Sequence, residues 1–285
     1  MMSLEKEIQQ KAKELLAKDE VTAVLGFAKG SLSEIASPFF ARTPDEAEQL
    51  IVNLYCRQNM AAYILRTERK GKIAVLARGC ESRSILTLIK EQQINREDIY
   101  ILGIPCEGIV GKNNGDLHSS CQICTCKNPV ISDELIGEPV KEQEVDRFKE
   151  VASFQEKSSD ERWAYFETEV SKCIRCYACR QSCPSCYCQS CFVDQSQPTW
   201  FGKTTNLSDT AIFHIVRVLH MAGRCVDCGA CNRACPMEID LRKLTLKMEQ
   251  EVKDRFGYTT GMNEEEPAPL ATFKADDAED YMREE

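Results

Sequence analysis

The chain has 285 residues, 43% of them hydrophobic and 28% charged, with a formal net charge of −9. That is room for about two soluble domains, and it offers no basic stripe to bind nucleic acid. No apolar run approaches the ~18 residues of a membrane span. Seventeen cysteines would mean disulfides in a secreted protein. The opening MMSLEKEIQQKAKELLAKDE, however, reads as a charged amphipathic helix and not as a targeting segment. Metal-bound thiolates in a reducing cytoplasm are therefore expected.

In chain order, a helix is expected over residues 4–18, then an apolar run, VTAVLGF, at 21–27. Thr43 is a natural N-cap, with Pro44 at the first helical position and Asp45 and Glu46 in the first turn. That helix should run through Leu50 and Leu54 to Tyr63, with Cys56 a core residue inside it. KIAVLARG (72–79) reads as a buried strand, 82–90 as a helix and IYILGIPC (99–106) as a second strand. Strand, helix and strand at this length give parallel strands by the handedness rule. Residues 1–140 are thus expected to form an α/β domain with a short parallel sheet.

Both strands end in glycine and cysteine at their C-terminal tips, the edge of a parallel sheet where ligands bind. Cys80 and Cys106 sit there. SCQICTCKNP supplies a C-x2-C that, folded over the edge, completes four thiolates: Cys80, Cys106, Cys121 and Cys124. These are read as a third 4Fe-4S site, with zinc or inert buried cysteines as alternatives. His118 is close enough to substitute as a ligand but reads better as a surface-loop histidine.

Residues 141–168 form a charged helical connector. The module at 169–256 carries CIRCYACRQSCP and CVDCGACNRACP, both C-x2-C-x2-C-x3-C-P. Three closely spaced thiolates reach three irons of one 4Fe-4S cube, and the fourth turns away to the other cube. Cys173, Cys176, Cys179 and Cys235 should therefore hold one cluster, and Cys225, Cys228, Cys231 and Cys183 its partner. The proline fixes φ and keeps the chain from closing back on its own cluster. Zinc prefers two separated C-x2-C pairs.

CPSCYCQSC adds Cys186, Cys188 and Cys191, a metal site short of one ligand that Cys126 could supply. Lys172, Arg175, Arg180, Arg224 and Arg233 either offset cluster charge or are simply solvated. Between the runs, Ser208 should cap a helix with Ile212, Ile215, Val216 and Leu219 on its core face, leaving His214 and His220 structural. A last helix is expected over 241–255. Residues 257–285 form an acidic tail, with nine acids and two bases from Glu264 onward. It has little to bury, and is either disordered or ordered only on a partner.

KIAVLARGCESRSILTLIKE, IYILGIPCEG and SCQIC together resemble the beta subunit of deazaflavin-reducing hydrogenases and formate dehydrogenases, over roughly residues 20–130. The resemblance implies an α/β domain carrying a 4Fe-4S cluster, usually with FAD and a deazaflavin hydride acceptor. Two departures count against FAD: the family-like region stops near residue 135, and the dicluster module follows the α/β domain instead of preceding it. No G-x-G-x-x-G is present either, nor an adjacent Cys-Cys pair of the kind seen in non-cubane heterodisulfide-reductase sites.

The expected protein is an α/β domain followed by a helical, ferredoxin-like module with two 4Fe-4S clusters. It would relay electrons within a cytoplasmic anaerobic complex whose partner is a formate dehydrogenase, hydrogenase or heterodisulfide-reductase-like flavoprotein. The alternatives are a flavin-bearing subunit that reduces a deazaflavin or nicotinamide itself, and a zinc-stabilised scaffold.

Overall fold

The computed structural model describes residues 3–269 except 33, 68–70 and 112–114. Its first half is built on a five-stranded sheet of order β2-β1-β3-β4-β5. The strands are β1 (Ala23–Lys29), β2 (Ala36–Ala41), β3 (Ile73–Ala77), β4 (Ile99–Gly103) and β5 (Glu134–Leu135). Pairings β1–β3, β3–β4 and β4–β5 are parallel, β3–β4 as the strand–helix–strand unit predicted, but β2 runs antiparallel to β1. The sheet is therefore mixed, not purely parallel. ASPFFA does not read as a strand because Pro38 interrupts it, and an edge position is where a strand tolerates a residue without an N–H.

The period-2 alternation of β3 decides what covers each face. Ile73, Val75 and Ala77 join Met60, Ile64, Ile85 and Leu88. Ala74 and Leu76 join Ile8, Leu15 and Leu16 of α1 (Leu4–Ala17). Helix α2 (Ala61–Ile64) and helix α3 (Gly79–Lys90) cover the first of these faces.

The helix expected over 43–63 is absent. Thr43 Oγ1 does accept from Glu46 N at 3.2 Å, but only a 3-10 turn, Glu46–Gln49, follows. Leu50 is fully buried, and Ile51 N donates to Phe27 O at 2.8 Å in an antiparallel bridge to β1. Docking of this β-branched stretch against the sheet outweighs its local helical signals. Cys56 is buried as expected, but in a loop.

The second half is helical: α4 (Ser119–Gln122), α5 (Lys149–Gln155), α6 (Ser159–Ser171), α7 (Ala178–Gln181), α8 (Leu207–His220), α9 (Ala230–Ala234) and α10 (Arg242–Phe256). Ser158 and Glu161 form a capping box at α6. α6 packs on α8, α7 on α9 and α5 on α10.

Helix α8 begins at Leu207 with Asn206 at its N-cap, ahead of Ser208. Its orientation reverses the expected one. Ile212, Ile215 and Leu219 are exposed, Leu219 by 53%, while Phe213, His214 and Arg217 are buried. The interior beneath α8 is lined with cysteine thiols, and the helix turns its cationic and ring side chains toward them.

The tail also departs from expectation. Gly257, at φ +65°, ends α10 in the left-handed conformation that closes helices. The chain then folds back on α3. Tyr258 is buried, Thr260 O accepts from Arg83 Nη2 at 2.8 Å, and Glu266 O accepts from Lys90 Nζ at 2.5 Å. Residues 270–285 lie outside the described residues. Among the described residues, no helix is long and apolar enough to cross a membrane.

Candidate metal centres

At the sheet tips, α3 starts at Gly79, directly after β3, and places Cys80 in its first turn. Its start is fixed by a buried ion pair. Arg78 Nη2 lies 2.8 Å from Glu81 Oε1, Glu81 Oε2 accepts from Arg78 N at 2.9 Å, and Arg78 also donates to Cys56 O and Gln58 O. From the next strand tip comes Cys106, whose N–H donates to Lys127 O at 2.9 Å and so holds down the loop that follows α4. Gln143 Nε2 donates to Cys124 O at 2.7 Å.

The result is a small cavity lined by Cys80, Cys106, Cys121 and Cys124, together with Arg78, Cys126 and Cys228. A Cβ on Gly79 would come within 2.1 Å of Cys126 O, so only glycine lets the loop close over the edge. Burial pushes the Cys80 thiol well above its ordinary range, and raises Cys106 and Cys124 as well. Such thiols stay protonated unless a metal displaces the proton.

The two cysteine runs fold alike. In the first, Arg175 and Tyr177 adopt positive φ of 57° and 58°; at the matching places in the second, Asp227 and Gly229 have 50° and 69°. The first member of each left-handed pair turns its N–H inward: Arg175 N donates to Cys173 Sγ and Asp227 N to Cys225 Sγ, each at 3.4 Å. Cys173, Cys176 and Cys179 share a cavity with Cys235, which arrives from the second run. Reciprocally, Cys183 of the first run lies within electrostatic reach of Cys228. Burial raises Cys179 and Cys228 to about 11.

Cys228 also lines the sheet-tip cavity, so the α/β half and the second run meet at one thiol. His118 helps to join them. It is buried, not on a surface loop. Its Nδ1 accepts from Ser120 N at 3.2 Å, so Nε2 carries the proton and donates to Asn232 Oδ1 at 2.9 Å. Burial and the nearby Arg233 lower its pKa to about 4, and it makes no approach as a ligand.

The remaining three cysteines, Cys186, Cys188 and Cys191, line a separate cavity of about 260 Å³ with Arg66, Arg180, Arg217 and Arg224. Cys126 does not join them. It lines the sheet-tip cavity, where its Sγ donates to Asn128 O at 3.4 Å.

The flanking bases divide sharply. Lys172, Arg180 and Arg224 are engaged by Glu169, Asp194 and Glu91. Arg175 is buried, donating to Asp209 O and Gly202 O. Arg233 is buried beside Cys228.

Sequence reading missed Arg78 and Arg217, and it named His214 as structural. Arg217 donates to Cys179 O; burial alone would lower its pKa, but the attraction of Cys231, Cys179, Cys183 and Cys186 outweighs it and holds the pKa well above the ordinary value. The available signal was the polar face of α8: a buried His and Arg three apart, inside a cysteine-rich segment.

Iron–sulfur cubes fit these cages. The buried nitrogens Arg217 Nε, Arg233 Nη1, His214 Nδ1 and His214 Nε2 have no hydrogen-bond partner, and sulfide-rich anions would supply acceptors. Among the described residues, no three His, Cys, Asp or Glu side chains are gathered tightly enough for one metal ion. A cube spreads its four ligands wider than a single zinc does.

Comparison with known proteins agrees with this geometry. Residues 169–239 match the family described as 4Fe-4S dicluster domain. The chain is similar, at 24% identity, to the F420-dependent formate dehydrogenase subunit beta of Methanocaldococcus jannaschii; the match covers 90% of this chain and 91% of the relative. It is 25% identical, with the same coverage, to the F420-dependent formate dehydrogenase 1 subunit beta of Methanococcus maripaludis.

Along almost its whole length, then, the chain resembles iron–sulfur beta subunits of this kind. An alignment keeps chain order, so the position of the dicluster module after the α/β domain is no departure. Length is one: the 347 aligned positions draw on 90% of 285 residues, leaving about 90 positions with no counterpart here.

Proposed function

We propose that this chain is the iron–sulfur electron-transfer subunit of a formate-dehydrogenase-type complex in the cytoplasm, joining a flavoprotein partner to a second redox partner. The observation that carries the reading is Cys228. It belongs to the second cysteine run, yet lines the sheet-tip cavity with Cys80, Cys106, Cys121 and Cys124, which makes the cages a contiguous series.

When bound, 4Fe-4S clusters accept and give up single electrons; everything else here is the work of the chain. Cys173, Cys176, Cys179 and Cys235 hold one cube, and Cys225, Cys228, Cys231 and Cys183 a second. Cys80, Cys106, Cys121 and Cys124 hold a third at the sheet tips. Cys186, Cys188 and Cys191 form a fourth metal site whose remaining ligand does not come from Cys126.

Arg78, Arg217 and Arg233 place buried positive charge against the thiolates. The left-handed residues Arg175 and Asp227 aim N–H groups at sulfur. Neither device serves substrate chemistry. Both set affinity for an anionic cube and its potential.

The chain itself does not bind FAD. Its sheet-tip edge, where a nucleotide would dock, is closed over at Gly79 by Cys126 and Asn128 around a small thiol-lined cavity, and the longer relatives carry about 90 positions missing here. Reduction of an acceptor by hydride therefore belongs to the partner. The test is acceptor reduction by the isolated, cluster-loaded chain: none is expected for a deazaflavin or nicotinamide. With the partner added, reduction should depend on Cys80 and Cys106. Reduction by the chain alone would make it the enzyme.

A further inference from the structure

We infer that His214 separates the two cubes in potential, by donating its ring N–H to a sulfur of the cube held by Cys173, Cys176, Cys179 and Cys235. This rests on the reading of those cysteines as cluster ligands. His214 lines the same cavity as all four and is only 4% exposed. Neither ring nitrogen has a hydrogen-bond partner. A buried polar group left unpaired is costly, and folds retain one where something supplies its partner.

The candidates for that partner are few. Phe213, whose ring centroid lies 4.8 Å away in an edge-on contact, offers only its π face, a weak acceptor. Arg175 and Arg217, the charged neighbours, are donors themselves. What remains beside the imidazole is the cysteine cage, whose natural content is rich in sulfur acceptors.

Buried arginines stand beside both cubes, Arg175 near Cys173, Arg233 near Cys228 and Arg217 near thiols of each, so the difference between them lies elsewhere. Cys225 faces the carboxylates of Glu249 and Asp227. These are countered by Arg147 at 3.0 Å from Glu249 and by Arg242 at 2.8 Å from Asp227. Hydrogen bonds to cluster sulfur stabilise the reduced, more negative state and raise the potential. The cube beside His214 is thus the more easily reduced of the pair, and it is also the one with an exposed ligand, Cys176.

The test is an anaerobic reductive titration followed by EPR, on the full chain and on His214→Leu and His214→Gln. The higher-potential cluster of the leucine variant should need about 59 mV more driving force, equivalent to a tenfold change in its oxidised-to-reduced ratio. The glutamine variant, which keeps an N–H donor, should recover most of that shift, and the lower-potential cluster should not move. Unchanged midpoints in an iron-replete leucine variant would overturn the inference.

If the leucine variant fails to hold iron, the unaltered protein decides. With 15N-histidine, and reduction stopped when only the first cluster is paramagnetic, a nitrogen hyperfine coupling is expected; its absence would also overturn the inference. A chain that gives no cubane signal at all refutes the ligand reading instead.

Discussion

The sheet-tip cage and the two cysteine runs make similar environments by different routes. At the sheet tips, Cys80 and Cys106 are brought together by parallel strands whose two faces bury continuous apolar cores, so the scaffold stands on hydrophobic burial. The runs instead fold around their own cavity, and the apolar cluster beside them, led by Phe166, Val170 and Leu241, includes two of the proposed ligands, Cys173 and Cys235. On the proposed ligand assignment, one half would shape a site that a metal then enters, whereas in the other half metal and fold would be the same event.

The sharpest way to break this contrast is to remove the iron. Under an anaerobic chelator, amides of β3 and β4 should keep their protection from hydrogen exchange, while those of α7 and α9 lose theirs. Equal loss in both halves would show that the sheet, too, depends on metal.

Cys183→Ser probes the runs alone. Because Cys183 lies toward Cys228 and Cys235 toward Cys173, the substitution should abolish the cluster of Cys225, Cys228 and Cys231 and spare the one nearest in sequence. EPR with iron analysis reads the outcome; loss of only the nearer cluster would contradict the crossed arrangement.

Glu81→Gln strikes the other half. It leaves the buried Arg78 guanidinium without its carboxylate, a change that costs about 3–5 kcal/mol when one partner of a buried pair is removed. The denaturant midpoint of the α/β half should fall accordingly, and the sheet-tip site should lose iron before the runs do.

The smallest effect concerns pH. Burial raises Cys56 to about 11, against ~8.5 in an unfolded chain. The neutral thiol is favoured in the fold, so its contribution is intact below about pH 8.5 and is lost as pH rises toward 11. The difference in denaturant midpoint between the parent chain and Cys56→Ala should shrink over that range. No change would mean that Cys56 is less buried than the structure shows.

Sequence legibility followed the same division. The ligand spacing of the runs, and the β3–α3–β4 unit with cysteines at its tips, could be read directly, because short spacings and apolar runs are local signals. What escaped depends on contacts distant in sequence. Residues 43–63 carry good helix-start signals, yet Ile51 pairs with β1. α8 has an apolar stripe that points outward because its interior neighbours are thiols. His118 looks like a loop residue until Asn232, from the other half, packs against it. The acidic tail begins with Thr260 docked on Arg83, a contact that no composition argument contains.

Metal, sulfide and flavin analysis of anaerobically purified protein tests the central claim most directly. The account predicts at least two full cubes of iron with matching sulfide, a third from the sheet-tip cage, and no stoichiometric flavin. Zinc in place of iron, or one FAD per chain, would contradict it.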